Sequence, residues 1–243
     1  MHPTAMMNCA DFFSCYGPSI QRRSPNPKVV EIGSQDVNGS LRSCIPKNFE
    51  YTGVDFVDGK GVDIVITDPY KIPFADASTD VVVTSSCFEH SEFFWLLFLE
   101  IIRILRPHGL LYLNAPSNGD FHRWPVDCWR FYPDSGRALA RWGNRNGYTC
   151  EMLESYTSQQ YGDQWNDFVA VFLRDANNLQ DYPDRILNSK NGIFNGLINS
   201  SDTFHNHRSL PEDRVKLVTI HRIITNDRSG SARSDSLFLE LIK

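Results

Sequence analysis

Residues 28–40 read Lys28-Val29-Val30-Glu31-Ile32-Gly33-Ser34-Gln35-Asp36-Val37-Asn38-Gly39-Ser40, and their reading decides the fold. A short apolar strand (Val29, Val30, Ile32) runs into a turn bounded by Gly33 and Gly39, with Glu31 two residues before the first glycine. Twenty-two residues beyond Gly33, a second apolar strand over residues 51–54 ends in Asp55. This is the layout of a nucleotide-binding βαβ unit. Glycines let backbone approach a ligand closely, and an acid at the tip of the next strand can accept from two ribose hydroxyls.

The turn lacks the Gly-x-Gly-x-x-Gly pattern of dinucleotide sites, whose third small residue packs the helix on the strand while the helix N-terminus meets a pyrophosphate. Asp36 also puts a negative charge where a phosphate would sit. Such a loop disfavours phosphate and tolerates a ribose that carries an amino acid or a sulfonium. The expected ligand is S-adenosylmethionine rather than NAD.

Working outward, apolar runs at 28–32, 51–54, 62–66, 80–84 and 110–114 alternate with loops and helical stretches. Near-continuous Val/Ile/Leu runs of this length suit strands buried on both faces of a parallel sheet. Pro46 must end the first helix early, and residues 56–61 are too few for a long second crossover. Further on, Asp134 or Ser135 can cap a helix over about 135–145 that Gly147 stops. Strands near 149–156 and 167–173 follow.

In these segments the chain resembles the class I S-adenosylmethionine-dependent methyltransferases, over about residues 27–175. The first strand-turn looks like theirs, with Ser34 and Asn38 in place of more usual small residues, and Asp55 matches their ribose-binding acid. Asp68-Pro69 before Ile72-Pro73-Phe74 is similar to their adenine-side segment, and Phe88-Glu89-His90 to the Leu-Glu-His after their fourth strand. Arg106-Pro107-His108-Gly109 resembles the turn into their fifth strand. The resemblance implies a Rossmann-like α/β fold with a seven-stranded, mostly parallel sheet and flanking helices, its last two strands an antiparallel pair. It implies S-adenosyl-L-methionine held by Glu31, Gly33, Ser34, Gln35, Asn38, Gly39, Asp55, Phe56, Asp68, Pro69, Ser86 and Phe88. Asp80 is different: at the opening of the fourth strand it is expected to satisfy backbone donors.

The domain expected over 28–175 is preceded by a helical extension over 1–27, with a helix near 9–22. An appended element over 176–243 is richer in Asn, Asp and Ser, and is expected to shape the acceptor site or an oligomer contact. Within it, Val215–Ile224 and Leu237–Ile242 read as two strands, or as strand and helix.

Bulk properties bound the partners. The 243 residues carry a net charge of −5, which argues against nucleic acid, whose phosphates want a basic face. The six cysteines show no Cys-x-x-Cys spacing, so neither a zinc site nor a disulfide framework is signalled. Met1–Ser14 lacks a basic start and a long apolar run, and residues 93–105 are too short to span a bilayer. A cytoplasmic protein without a membrane span is expected. Glu100 and Arg103, three apart, should pair on the wet side of that apolar helix.

A second constellation, His122-Arg123-Trp124-Pro125-Val126-Asp127-Cys128-Trp129-Arg130-Phe131-Tyr132-Pro133, lies just beyond the fifth strand, at the edge where open parallel sheets bind ligands. Its order resembles a segment of type-11-like methyltransferases of glycan and natural-product pathways. Aromatic faces and charged forks suit a polyhydroxylated acceptor, so Trp124 and Arg130 are candidate substrate-binding residues. Asp127 and Arg130 read equally well as an ion pair that pins the loop.

Methyl transfer to oxygen needs an aligned acceptor and a proton acceptor. His122 is the first candidate base, because an imidazole titrates near working pH, with His90 second and Asp127 beside them. Glu89 reads as support for its turn, and no spacing marks a metal site. The function expected is methylation of a small polar acceptor, a sugar or glycan-precursor hydroxyl. The alternatives are N-methylation of an amino sugar, or a binding module of the same fold without turnover.

Overall fold

The structure, a computed structural model, describes residues 1–199, 201–209 and 211–227. Met1–His207 form one compact unit, and Arg208–Lys243 a second.

In the first unit eight strands form one sheet in the order β3-β2-β1-β4-β5-β7-β6-β8. They are β1 (Lys28–Ile32), β2 (Glu50–Asp55), β3 (Ile64–Val65), β4 (Thr79–Ser85), β5 (Leu105–Pro116), β6 (Glu151–Ser158), β7 (Asp167–Leu173) and β8 (Ile193–Ile198). β1 to β5 are parallel, whereas β7, β6 and β8 pair antiparallel. This is the Rossmann-like α/β fold expected, with eight strands in place of seven. The extra strand, β8, comes from the region read as an appended element.

Helices cover both faces, so the central strands have no wet side. Every residue of β4 is buried. Val82 points into a cluster with Val30, Leu111 and the inner faces of α2 (Phe94–Ile104) and α3 (Asp134–Arg145). Val81 and Val83 point the other way, onto Phe12 and Tyr16 of α1 (Pro3–Arg23). Each fully buried large apolar side chain contributes about 1.5–3 kcal/mol. The runs that read as strands do so because both of these layers require apolar residues. α1 is longer than the helix expected at 9–22.

Small polar contacts fix the register. Asp80 accepts from Lys28 N (2.8 Å) and from Arg106 Nη1 (2.7 Å), tying the starts of β1, β4 and β5 together as its position suggested. Arg103 donates to both Glu100 oxygens (2.8 and 2.9 Å), the pairing expected from their spacing. The crossover after β1 shrinks to a single 3-10 turn over Leu41–Cys44, ended by Ile45-Pro46.

The second unit contains α4 (Glu212–Asp227). The sequence there reads as two strands or as strand and helix, and residues 215–224 lie in this helix. Glu212 and Asp213 in its first turn complement the helix dipole, a signal outweighed in the sequence by the β-branched residues that follow. The segment read at Leu237–Ile242 lies outside the described residues.

Strand order reverses between β1 and β4: the chain leaves β1 toward β2 and returns on β1's other side. At such a switch point the loops diverge and open a crevice at the carboxyl ends of the strands.

Candidate active site

A cavity of about 960 Å³ opens at that crevice, large enough for a nucleoside-sized ligand together with a small second molecule. One end is built by the turn after β1 and the tip of β2. Gly33 has φ +81, and a Cβ there would lie 2.9 Å from Cys87 Cβ. A side chain at Gly33 would therefore be strained and would press on the loop after β4; glycine keeps the mouth open. Asp55 ends β2 nearly buried, with its carboxylate fixed by Gln35 N (3.0 Å) and Val57 N (3.2 Å). Phe56, half exposed, Ile66, Thr67, Pro69 and Tyr70 continue the wall.

Of the residues expected at this end, Gly33, Gln35, Asn38, Asp55, Phe56, Pro69 and Ser86 line the cavity. Five do not. Glu31 is fully buried behind the turn, where Tyr51 Oη donates to it at 2.5 Å and burial pushes its carboxyl up to about 7. Ser34 is buried beside Gly53, its Oγ without a partner among the described residues. Gly39 packs on Met1. Asp68 accepts from Tyr70 N (2.9 Å) and so closes its own turn. Phe88 is a core residue against Phe94 and Phe131. Asp36 does not face the cavity either: Lys60 Nζ (2.6 Å) and Gly39 N (2.8 Å) answer its charge and hold its carboxyl below the usual range. Paired in this way and turned from the cavity, Asp36 presents no free charge to a phosphate there.

The other end is built from residues far apart in the chain. Glu89 and His90 follow β4 in a 3-10 turn over Phe88–His90, His122 and Trp124 come from the loop after β5, Trp165 from the β6–β7 loop, and His2 from the start of α1. The His90 and His122 rings meet edge to face at 5.1 Å, and His122 meets Trp165 at 5.2 Å. His90 Nδ1 lies 2.5 Å from Val126 O, and His122 Nδ1 2.9 Å from Asp120 O. A carbonyl only accepts, so both Nδ1 atoms carry a proton, and in the neutral ring the lone pair is on Nε2. Burial lowers the His90 pKa, favouring the neutral ring.

Asp127 and Arg130 stand apart from this group, and neither lines the cavity. Arg130 donates to both Asp127 oxygens (2.5 and 2.9 Å), His122 N donates to Asp127 at 2.8 Å, and Arg130 also donates to the Asp120 carbonyl. The guanidinium holds the Asp127 carboxyl down to about 2. A carboxylate so committed is a poor base, and this guanidinium has little left for a substrate. The pair instead pins the loop that presents His122, which corrects the catalytic and substrate-binding readings of Asp127 and Arg130.

Trp165, His2 and Tyr70 were not legible as site residues, because only tertiary structure brings them to the cavity. Glu89 was read as turn support. Its carbonyl does accept from Cys128 N (2.8 Å), but its carboxyl faces the cavity, buried, and burial pushes it up to about 8. Cys87 lines the cavity with its thiol pushed up to about 12 by burial, so it is no thiolate nucleophile.

Fold and cavity together define an α/β domain with a ligand-sized cavity at its switch point. Comparison with known proteins shows what this domain is similar to. Residues 36–113 match the model of a methyltransferase-domain family. The chain is 37% identical over 115 residues to phthiotriol/phenolphthiotriol dimycocerosates methyltransferase 1 of Mycobacterium ulcerans, a match covering 46% of this chain and 38% of that protein. It is 30% identical over 115 residues to the phthiotriol/phenolphthiotriol dimycocerosates methyltransferase of Mycobacterium tuberculosis, with the same coverage. The match thus spans well under half the length of these curated relatives. In fold, the chain is similar to the Burkholderia thailandensis 1,6-didemethyltoxoflavin-N1-methyltransferase, solved with S-adenosylhomocysteine bound (TM-score 0.50, 14% identity, 71% of this chain and 88% of that one). Residues 36–113 thus carry the match to a methyltransferase domain, and the surrounding fold is similar to that of an enzyme solved with S-adenosylhomocysteine. Among the described residues no helix is long and apolar enough to cross a membrane.

Proposed function

We propose that this chain methylates a hydroxyl of a small polar acceptor, a sugar or glycan precursor, with the cofactor held at the Gly33–Asp55 end of the cavity and the acceptor at the His90–His122 end. The observation that carries this reading is the continuity of one cavity from the glycine turn to the two imidazoles. Gly33 and Gln35 would offer close backbone, Asp55 would accept from ribose hydroxyls, and Phe56 and Pro69 would flank the adenine.

S-adenosylmethionine supplies a methyl carbon on a sulfonium: the sulfur–carbon bond breaks as the oxygen–carbon bond forms, and the bonding pair stays on sulfur. The protein has to align the acceptor oxygen and take up its proton. The lone-pair nitrogens of His90 and His122 stand at the acceptor end for that purpose, and Trp124 and Trp165 offer faces for the apolar side of a sugar ring. The Asp127–Arg130 pair fixes the loop, so the imidazoles stay in place when the acceptor enters.

The test is mass spectrometry for a gain of one methyl across sugars, nucleotide-sugars, amino sugars and small metabolites, with calorimetry of S-adenosylhomocysteine alongside. Methylation of a hydroxylated sugar supports the reading. Cofactor binding with methylation confined to amines moves it to N-transfer, and cofactor binding without any methylation moves it to a binding module.

A further inference from the structure

Three groups at the acceptor end share a property that proton transfer alone does not require. One ligand atom from each of Glu89, His90 and His122 lies within 4.8 Å of the other two. Glu89 is 1% exposed and lines the cavity, yet its Oε2 has no hydrogen-bond donor among the described residues. A buried carboxyl oxygen left without a partner is costly, and a cation that displaced the carboxyl proton would answer it. His90 Nε2 is 3.7 Å from Glu89 Oε1, too far for a hydrogen bond.

The imidazoles are set as a metal site needs them. Ligating histidines are neutral and give their other N–H to a carbonyl or carboxylate, which fixes tautomer and ring orientation. Both histidines do so here, His90 to the Val126 carbonyl and His122 to the Asp120 carbonyl, which leaves each Nε2 as the nitrogen available to a cation. Two imidazole nitrogens and one carboxylate are the donor set of open first-row transition-metal sites, in which further positions remain for water or substrate.

We propose that Glu89, His90 and His122 bind a divalent first-row transition-metal cation at the acceptor end of the cavity, and that the acceptor's oxygens complete its coordination. The inference rests on the reading of this end as the acceptor site. With the cation in place His90 and His122 act as ligands, and the acceptor hydroxyl, bound to the cation, releases its proton to water before its oxygen takes the methyl. Selection of an acceptor with two adjacent oxygens follows, because such a molecule can chelate.

Titration of the full chain, stripped with chelator and dialysed, with Co²⁺ tests the site, read by calorimetry and by cobalt visible absorption. S-adenosylhomocysteine affinity is measured on the same sample. The expected result is one Co²⁺ per chain, with affinity lowered at least about ten-fold in Glu89→Gln and in His122→Ala while both variants keep S-adenosylhomocysteine binding. Failure to bind at millimolar Co²⁺ while S-adenosylhomocysteine still binds overturns the metal site and leaves the methyltransferase reading intact. So does Co²⁺ binding that is unchanged in the Glu89→Gln/His122→Ala double variant. Co²⁺ bound through these residues without S-adenosylhomocysteine binding keeps the site and overturns the methyltransferase reading.

Discussion

The two ends of the cavity are made differently. The end proposed for the cofactor is largely a local device: one strand, one glycine turn and the acid at the next strand's tip lie within residues 28–57, and residues 66–70 continue the wall. Much of it is backbone, and its key carboxylate is held by the amides of Gln35 and Val57. The acceptor end is an assembly of side chains from the start of α1, the turn after β4, the loop after β5 and the β6–β7 loop. A locally encoded half can stay constant while loops change the other half, and this division suits one cofactor serving different acceptors.

That contrast predicts separable effects. The largest belongs to the acceptor end: His122→Ala should lower turnover by about 10²–10⁴-fold, with S-adenosylhomocysteine affinity nearly unchanged. Steady-state kinetics beside calorimetry checks both, and a parallel loss of cofactor binding would erase the division. Next, Asp55→Ala should weaken S-adenosylhomocysteine by about 1.5–3 kcal/mol, the cost of a lost charge-assisted bond, and leave turnover at saturating cofactor largely intact. An unchanged affinity would remove Asp55 from the site.

Smaller effects fall on the scaffold. Arg130→Ala leaves the Asp127 carboxylate, 2% exposed, without its main partner, and should cost about 2 kcal/mol in denaturant unfolding. Asp127 gives that loss a pH signature. Its folded pKa, about 2, is depressed, so its stabilisation is present above the ordinary carboxylate range and is lost as pH falls toward 2. Asp167 runs the opposite way. Burial pushes its carboxyl up to about 8, so the folded protein keeps a proton that the unfolded chain has released. Its contribution to stability therefore falls as pH rises from about 4 to about 8, and Asp167→Asn should flatten that slope, gaining about 1 kcal/mol at the alkaline end. A slope unchanged in the variant would place the titration elsewhere.

How much the sequence reveals tracks the same contrast. Gly33, Asp55 and Asp80 were legible because each acts through its own strand or turn, and the Val-rich strands because both faces of the sheet are covered. β8 was not, since Asn195-Gly196 at its centre looks like a turn. Asn195 does adopt φ +53, and a Cβ on Gly196 would lie 2.3 Å from Leu187 Cδ2, so a larger residue there would displace that side chain. Glu31 and Asp68 matched a family pattern, but the structure turns Glu31 to Tyr51 and Asp68 to its own turn. Asp127 and Arg130 sit three apart, a spacing that suits a sugar clamp and an internal pair alike; only the fold decides. Trp165 and His2 carry no local signal, because they reach the cavity through tertiary packing.

A crystal structure of the full chain with S-adenosylhomocysteine tests the account most directly. The prediction is adenosine at the Gly33–Phe56 end, ribose hydroxyls about 2.7–3.0 Å from the Asp55 carboxylate, and the sulfur directed toward His90 and His122. A ligand bound elsewhere, or an Asp55 carboxylate turned from the ribose, would contradict it.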